Sequence, residues 1–172
     1  HIAFNDFITV AEDLIETKVT NKSHLGIRGG SNGGLLVGTV ATMRPDLYEA
    51  VVCQVPLLDM KRFNQLLAGA SWMGEYGNPD NEDEWNYIKT YSPYHNVHKD
   101  VDYPKIFFTT STRDDRVHPG HARKMVAKMM SQGHDLLYYE NTEGGHGGAA
   151  NNEQSAKLNA LIYTYLADQL MD

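Results

Sequence analysis

The sequence predicts an α/β fold, a mostly parallel sheet flanked by helices. Three observations carry this. Four short strand-like runs alternate with segments of helical periodicity, the pattern left by crossover connections between parallel strands. A glycine-rich hexapeptide, Gly29-Gly30-Ser31-Asn32-Gly33-Gly34, stands between one such strand and the helix after it. The chain has 172 residues, 41% of them hydrophobic, which suits one ordinary domain with a true core.

The elements follow in order. Phe4, Phe7, Ile8, Ala11, Leu14 and Ile15 recur at helical spacing, so a helix is expected over about 4–18, with Asn5 or Asp6 near its start. Residues 20–23 read as a loop and 25–29 as the first strand. The helix after Ser31 should stop before Arg44-Pro45, because proline restricts the residue before it. Residues 50–55 are short and β-branched, a buried strand. Residues 57–69 read as a short helix or ordered loop. The stretch from 70 to 100 mixes Trp72, Tyr76, Trp85, Tyr87, Tyr91 and Tyr94 with Gly, Pro and acidic residues. It is long for a plain connection, and long ordered loops often carry function. Strands are expected at 105–110 and 135–140, a helix at 119–132 ending at Gly133, and a last amphipathic helix at 151–170.

Composition excludes several classes of function. The net charge is −7 and no long basic run exists, so nucleic acid is not an expected partner. No apolar stretch approaches the ~20 residues that span a bilayer, and no secretory signal pattern is visible, so no membrane partner is expected. The single cysteine, Cys53, cannot form an internal disulfide and permits a reducing compartment; cytoplasm is favoured over periplasm. Cys53 itself reads as a small core residue. No cofactor is expected, since no G-x-G-x-x-G follows a strand and no P-loop or zinc motif is present. His118 and His121, like His95 and His98, lie three apart, but no Cys or acidic cluster accompanies them, so they read as surface or core-edge side chains rather than metal ligands. Met125, Met129 and Met130 read as core packing.

The chemistry gathers at the expected carboxyl ends of strands, where open α/β sheets place their sites. Ser31 follows the first strand with glycine two residues to either side, at Gly29 and Gly33. This is the nucleophile-elbow pattern: a turn so tight that flanking side chains would collide, presenting an exposed hydroxyl. Asp114 and Asp115 follow the third strand. His146 follows the fourth, inside Gly144-Gly145-His146-Gly147-Gly148. A serine hydroxyl is a weak nucleophile until an imidazole takes its proton and a carboxylate fixes that imidazole's tautomer. The order Ser, acid, His is that of α/β-hydrolases. Bland readings stand beside each residue. The glycine-rich turn is a tight loop, Asp114 an N-cap or a partner of Arg113 or Arg116, His146 a loop residue.

Longer stretches sharpen this. Gly-Gly-Ser-Asn-Gly-Gly-Leu-Leu-Val at 29–37, Arg-Pro-Asp-Leu at 44–47, Tyr-Ser-Pro-Tyr-His-Asn-Val at 91–97, Asp-Asp-Arg-Val at 114–117 and Gly-His-Gly at 145–147 resemble the prolyl oligopeptidase family of serine peptidases across nearly the whole chain. The resemblance implies the C-terminal part of an α/β-hydrolase catalytic domain over 1–172. It implies Ser31 as nucleophile, Asp114 as orienting acid and His146 as base. It also implies a proline pocket. Trp72 and Tyr76 match the motif whose indole stacks on the proline ring, Leu57 and Val117 match further walls, and Arg116 matches an arginine that binds a substrate carbonyl. Leu57 departs mildly from the valine of proline-cleaving members. Ordinary packing is the competing account of Trp72 and Tyr76. An aromatic wall suits proline, which is apolar and lacks N–H.

The backbone N–H of Asn32 is one expected oxyanion donor. The family's second donor is a tyrosine from an upstream segment, which with the β-propeller and early strands lies outside this sequence. The expected partners are therefore a short peptide substrate and the upstream part of a parent chain, with a homo-oligomer through the exposed sheet edge as a further expectation. The 172 residues alone are expected to be weakly active or inactive. Two alternatives stay open, an esterase or lipase on the same scaffold and a non-catalytic truncated hydrolase module.

Overall fold

The computed structural model describes residues 1–171. The chain runs α1 (Ile2–Glu16), β1 (Gly26–Gly30), α2 (Asn32–Met43), β2 (Ala50–Gln54), α3 (Met73–Tyr76), α4 (Glu82–Ile88), α5 (Pro93–Asn96), β3 (Lys105–Ser111), α6 (Gly120–Ser131), β4 (Leu136–Asn141) and α7 (Asn152–Leu170). Short 3-10 turns fill Lys22–His24, Pro45–Leu47, Phe63–Gln65 and Leu67–Trp72.

The four strands form one sheet in the order β1-β2-β3-β4, and all neighbours are parallel. Ile27, Val51, Ile106 and Leu136 share one row of the register, and Gly30, Gln54, Thr109 and Tyr139 another. The carboxyl ends are therefore nearly level, and the loops that leave them share one rim.

Side chains alternate across the sheet because the strand period is two. Val51, Cys53, Ile106 and Phe108 face one side and pack with Ala11 of α1, Val37, Val40 and Ala41 of α2, and Met125, Val126 and Met129 of α6. Ala50, Val52 and Phe107 face the other and pack with Leu158, Ile162 and Tyr165 of α7. Each large aliphatic side chain so buried contributes about 1.5–3 kcal/mol. A separate cluster, Leu35, Leu57, Met60, Phe63, Ile88, Tyr91 and Val117, lies under the aromatic-rich segment. That long connection is ordered because it owns a core. β1 pairs only with β2, so its other edge has no strand beside it among the described residues.

Several expectations shift. α1 starts two residues before Phe4, with His1 as N-cap rather than Asn5 or Asp6. Ile2 is 80% exposed, and periodicity of apolar burial cannot register a first turn that faces solvent. Met125 and Met129 are buried, but Met130 is 62% exposed, since it lies just past the buried stripe of α6. His121 is neither surface nor edge: it is fully buried, and Nδ1 accepts the backbone N–H of Asp59. α6 ends as expected at Gly133, whose φ of +90° suits a residue without Cβ.

Candidate active site

Ser31 caps α2 with φ 59° and ψ −117°, a conformation strained for a residue with a side chain. The turn is held by Ser31 N–H donating to Gln54 O at 2.9 Å and Leu35 N–H donating to Ser31 O at 3.1 Å. A Cβ on Gly29 would lie 2.1 Å from the carbonyl oxygen of Gly33, and one on Gly34 2.8 Å from Cα of Pro56. A Cβ on Gly33 would meet nothing within 4 Å. The steric requirement expected at Gly29 and Gly33 therefore falls on Gly29 and Gly34. Gly33 contributes its carbonyl to the crowding, not its missing side chain.

The backbone N–H of Asn32 makes no hydrogen bond among the described residues. It is one of the unpartnered donors that open a helix, and it carries the positive end of the α2 dipole. An oxygen that gains negative charge beside Ser31 would find a donor already in place.

Asp114 and His146 meet. Nδ1 of His146 is 3.0 Å from Oδ1 and 2.9 Å from Oδ2 of Asp114. The carboxylate is fully buried and the imidazole 19% exposed. Oδ1 of Asp114 also accepts the N–H groups of Arg116 and Val117, each at 2.9 Å. Asp114 thus caps its own turn rather than α6, whose N-cap is Pro119, and forms no ion pair with Arg113 or Arg116 among the described residues. The charge-assisted acceptance of two N–H groups fixes the carboxylate before it meets the imidazole. Ser31 Oγ makes no hydrogen bond among the described residues. The hydrogen bond expected between Ser31 and His146 is thus not formed among the described residues, and His146 does not line the pocket that holds Ser31.

Ser31, Asn32, Leu57, Trp72, Glu75, Tyr76, Arg116 and Val117 line one pocket of about 150 Å³. The structure thus brings Leu57, Trp72, Tyr76, Arg116 and Val117 into one pocket with the serine, even though they come from three separate segments. Leu57 and Val117 are buried floor; Trp72 and Tyr76 are half-buried walls. The hydroxyl of Tyr76 donates to Oδ1 of Asn32 at 2.7 Å. Burial, followed by the nearby Glu75 and Tyr91, pushes the Tyr76 hydroxyl up to about 12, so it remains a donor at neutral pH.

Two contributors had not been expected. Asn141, buried at the end of β4, accepts the N–H groups of Glu143 (2.9 Å) and Gly144 (2.7 Å), and its amide donates to Gln154 at 2.9 Å. It shapes the loop that delivers His146. The signal was available: asparagine closing a strand before Thr-Glu-Gly-Gly is an Asx-turn signature. Glu75 brings a carboxylate to the pocket, and nothing in its spacing distinguishes it from a solvated acidic residue. Among the described residues no group of three or more His, Cys, Asp or Glu could hold a metal ion, and no helix is long and apolar enough to cross a membrane.

A level parallel sheet with helices on both faces and a strained serine on a strand-to-helix turn defines the α/β-hydrolase fold. The chain belongs to the prolyl oligopeptidase family, which it matches over residues 1–172. It is 56% identical over 169 residues to the uncharacterized peptidase y4nA of Sinorhizobium fredii, covering 98% of this chain and 23% of that protein. It is 38% identical over 173 residues to the prolyl endopeptidase of Dictyostelium discoideum, covering 97% and 23%. Among solved structures, a post-proline cleaving enzyme from Rickettsia typhi superposes with a TM-score of 0.93 at 40% identity, covering 97% of this chain and 24% of that one. The chain thus spans about a quarter of the length of the relatives it matches.

Proposed function

We propose that this chain carries the catalytic residues of a serine peptidase that cleaves short peptides after proline. The observation behind this reading is the Asp114–His146 pair at the rim that also bears the strained Ser31 and its aromatic-walled pocket. Ser31 Oγ attacks the scissile carbonyl carbon while its proton passes to Nε2 of His146. Asp114 holds the Nδ1–H tautomer and stabilises the imidazolium. The oxyanion forms against the Asn32 N–H. The C–N bond then breaks as His146 returns the proton to the leaving amine, and water, deprotonated by His146, cleaves the acyl ester. Trp72 and Tyr76 flank the proline ring, Leu57 and Val117 close the pocket, and Arg116 donates to a substrate carbonyl.

The residues 1–172 act in this reading as part of one catalytic domain completed by the rest of a longer chain. That remainder supplies a second oxyanion donor and a strand for the free edge of β1. Loss of one such donor costs about a hundredfold to a thousandfold in rate, so the 172 residues alone are weakly active or inactive. Through the unpaired edge they self-associate; a clean monomer by light scattering at high concentration counts against this.

The deciding experiment treats the full chain with a fluorophosphonate probe, a prolyl amide and a simple acyl ester. Labelling of Ser31 that disappears in His146→Ala, with turnover of the prolyl amide, is the expected result. Turnover of the ester alone would favour an esterase, and no labelling would favour a non-catalytic module.

A further inference from the structure

The bond between Tyr76 and Asn32 links two parts of the site that otherwise have separate roles. Tyr76 comes from α3 and forms a wall of the pocket; Asn32 opens α2 and bears the unpartnered backbone N–H next to Ser31. The Tyr76 ring is itself braced, edge to face, on fully buried Phe63, with centroids 5.6 Å apart and planes at 86°. The hydroxyl therefore reaches Asn32 from a wall anchored in the core cluster beneath it. Asn32 needs such an anchor. Its side chain is exposed and makes no other hydrogen bond among the described residues, and its peptide follows a strained residue.

We propose that Tyr76 is a positioning residue for the oxyanion donor: its hydroxyl holds the Asn32 side chain and so fixes the direction of the Asn32 backbone N–H. This rests on the peptidase reading above and adds to Tyr76 a role distinct from that of a wall. A wall contributes to binding of the ground state, and its loss raises KM. A group that steadies a donor used only as the oxyanion develops contributes to the transition state, and its loss lowers kcat.

The two roles separate in Tyr76→Phe, made in the full chain, which keeps the ring and removes only the hydroxyl. The expected result is a kcat about tenfold lower with KM within about twofold, in keeping with the sensitivity of rate to small misplacements. The same factor should appear for a prolyl amide and for a small acyl ester, because both pass through an oxyanion whereas only one presents proline. Asn32→Ala retains the backbone N–H and should lose the same factor, and the double variant should lose no more than either single one. A rise in KM at unchanged kcat, a loss confined to the prolyl substrate, or additive losses in the double variant would each overturn the proposal. A wild-type chain that turns over neither substrate and is not labelled at Ser31 would instead overturn the peptidase reading itself.

Discussion

The backbone N–H of Asp59 donates to Nδ1 of His121 at 3.0 Å, so this imidazole must keep Nδ1 unprotonated for the bond to exist. The bond ties the segment after β2, which carries Leu57, to the start of α6, just beyond Val117. Two walls of the pocket are thereby joined through a pair of residues that never reach it.

Stability should fall in mild acid through His121. Burial, aided by the nearby His118 and Lys124 and only partly opposed by the carboxylates of Asp59 and Asp114, pushes its pKa from 6.5 down to about 4. Between those values the unfolded chain binds the proton and the folded chain does not. The contribution is therefore complete above about pH 6.5, shrinks as pH falls towards 4, and amounts to roughly 3 kcal/mol across the window. Urea melts at a series of pH values check this, and His121→Asn, which offers an amide oxygen in place of Nδ1 and cannot titrate, should flatten the slope.

Removing one partner of a buried charge should cost more than removing both. The Asp59 carboxylate is fully buried and paired with Lys124 and, at 3.2 Å, with Arg62. Burial acts to raise its pKa, but Lys124, His95 and Arg62 outweigh it and hold the group ionised below the usual carboxylate range. Lys124→Met leaves that charge to exposed Arg62 and should cost about 2–3 kcal/mol in chemical denaturation; adding Asp59→Asn should restore much of it.

Asp114→Asn should leave the fold intact and stop the chemistry. The carboxamide oxygen can still accept the N–H groups of Arg116 and Val117, but its amino group would face Nδ1 and impose the wrong imidazole tautomer. A loss of about 10⁴ in kcat is expected, with little change in melting temperature. Steady-state kinetics in the full chain and circular dichroism measure the two effects.

Alanine at two glycines of one hexapeptide should have opposite consequences. Gly29→Ala drives Cβ into the backbone of Gly33, which cannot yield, and should cost about 2–3 kcal/mol or more along with Ser31 labelling. Gly33→Ala meets open space at the start of α2 and should change stability by less than about 1 kcal/mol. Thermal melts of the two variants provide the comparison.

The sheet was legible because β2 and β3 are short buried apolar runs and each strand ends at a turn signal, and the helix stop at Arg44-Pro45 follows from proline sterics alone. The Asp114–His146 pairing was legible because chain order and strand-end placement both pointed to it. Other features depended on three-dimensional neighbours. His121 read as a surface or core-edge side chain because helical spacing does not reveal that the segment after β2 folds over α6. Met130 looked like core because apolar character does not fix which side of a helix meets the sheet. The steric role of Gly34 rather than Gly33 depended on Pro56, which follows another strand. The Tyr76–Asn32 bond joins residues far apart in the chain, and neither residue type announces it.

The level register of the four strands also governs where this chain can tolerate insertions and deletions. One added residue inside β3 would advance everything beyond it by about 3.3 Å, farther than a hydrogen bond can stretch, and would turn alternate side chains inside out. The turn between α6 and β4 carries no such ladder and lines no part of the serine's pocket. Length polymorphism among homologous chains, and any graft made by an engineer, should accumulate there and spare the last rungs before Ser31, Asp114 and His146.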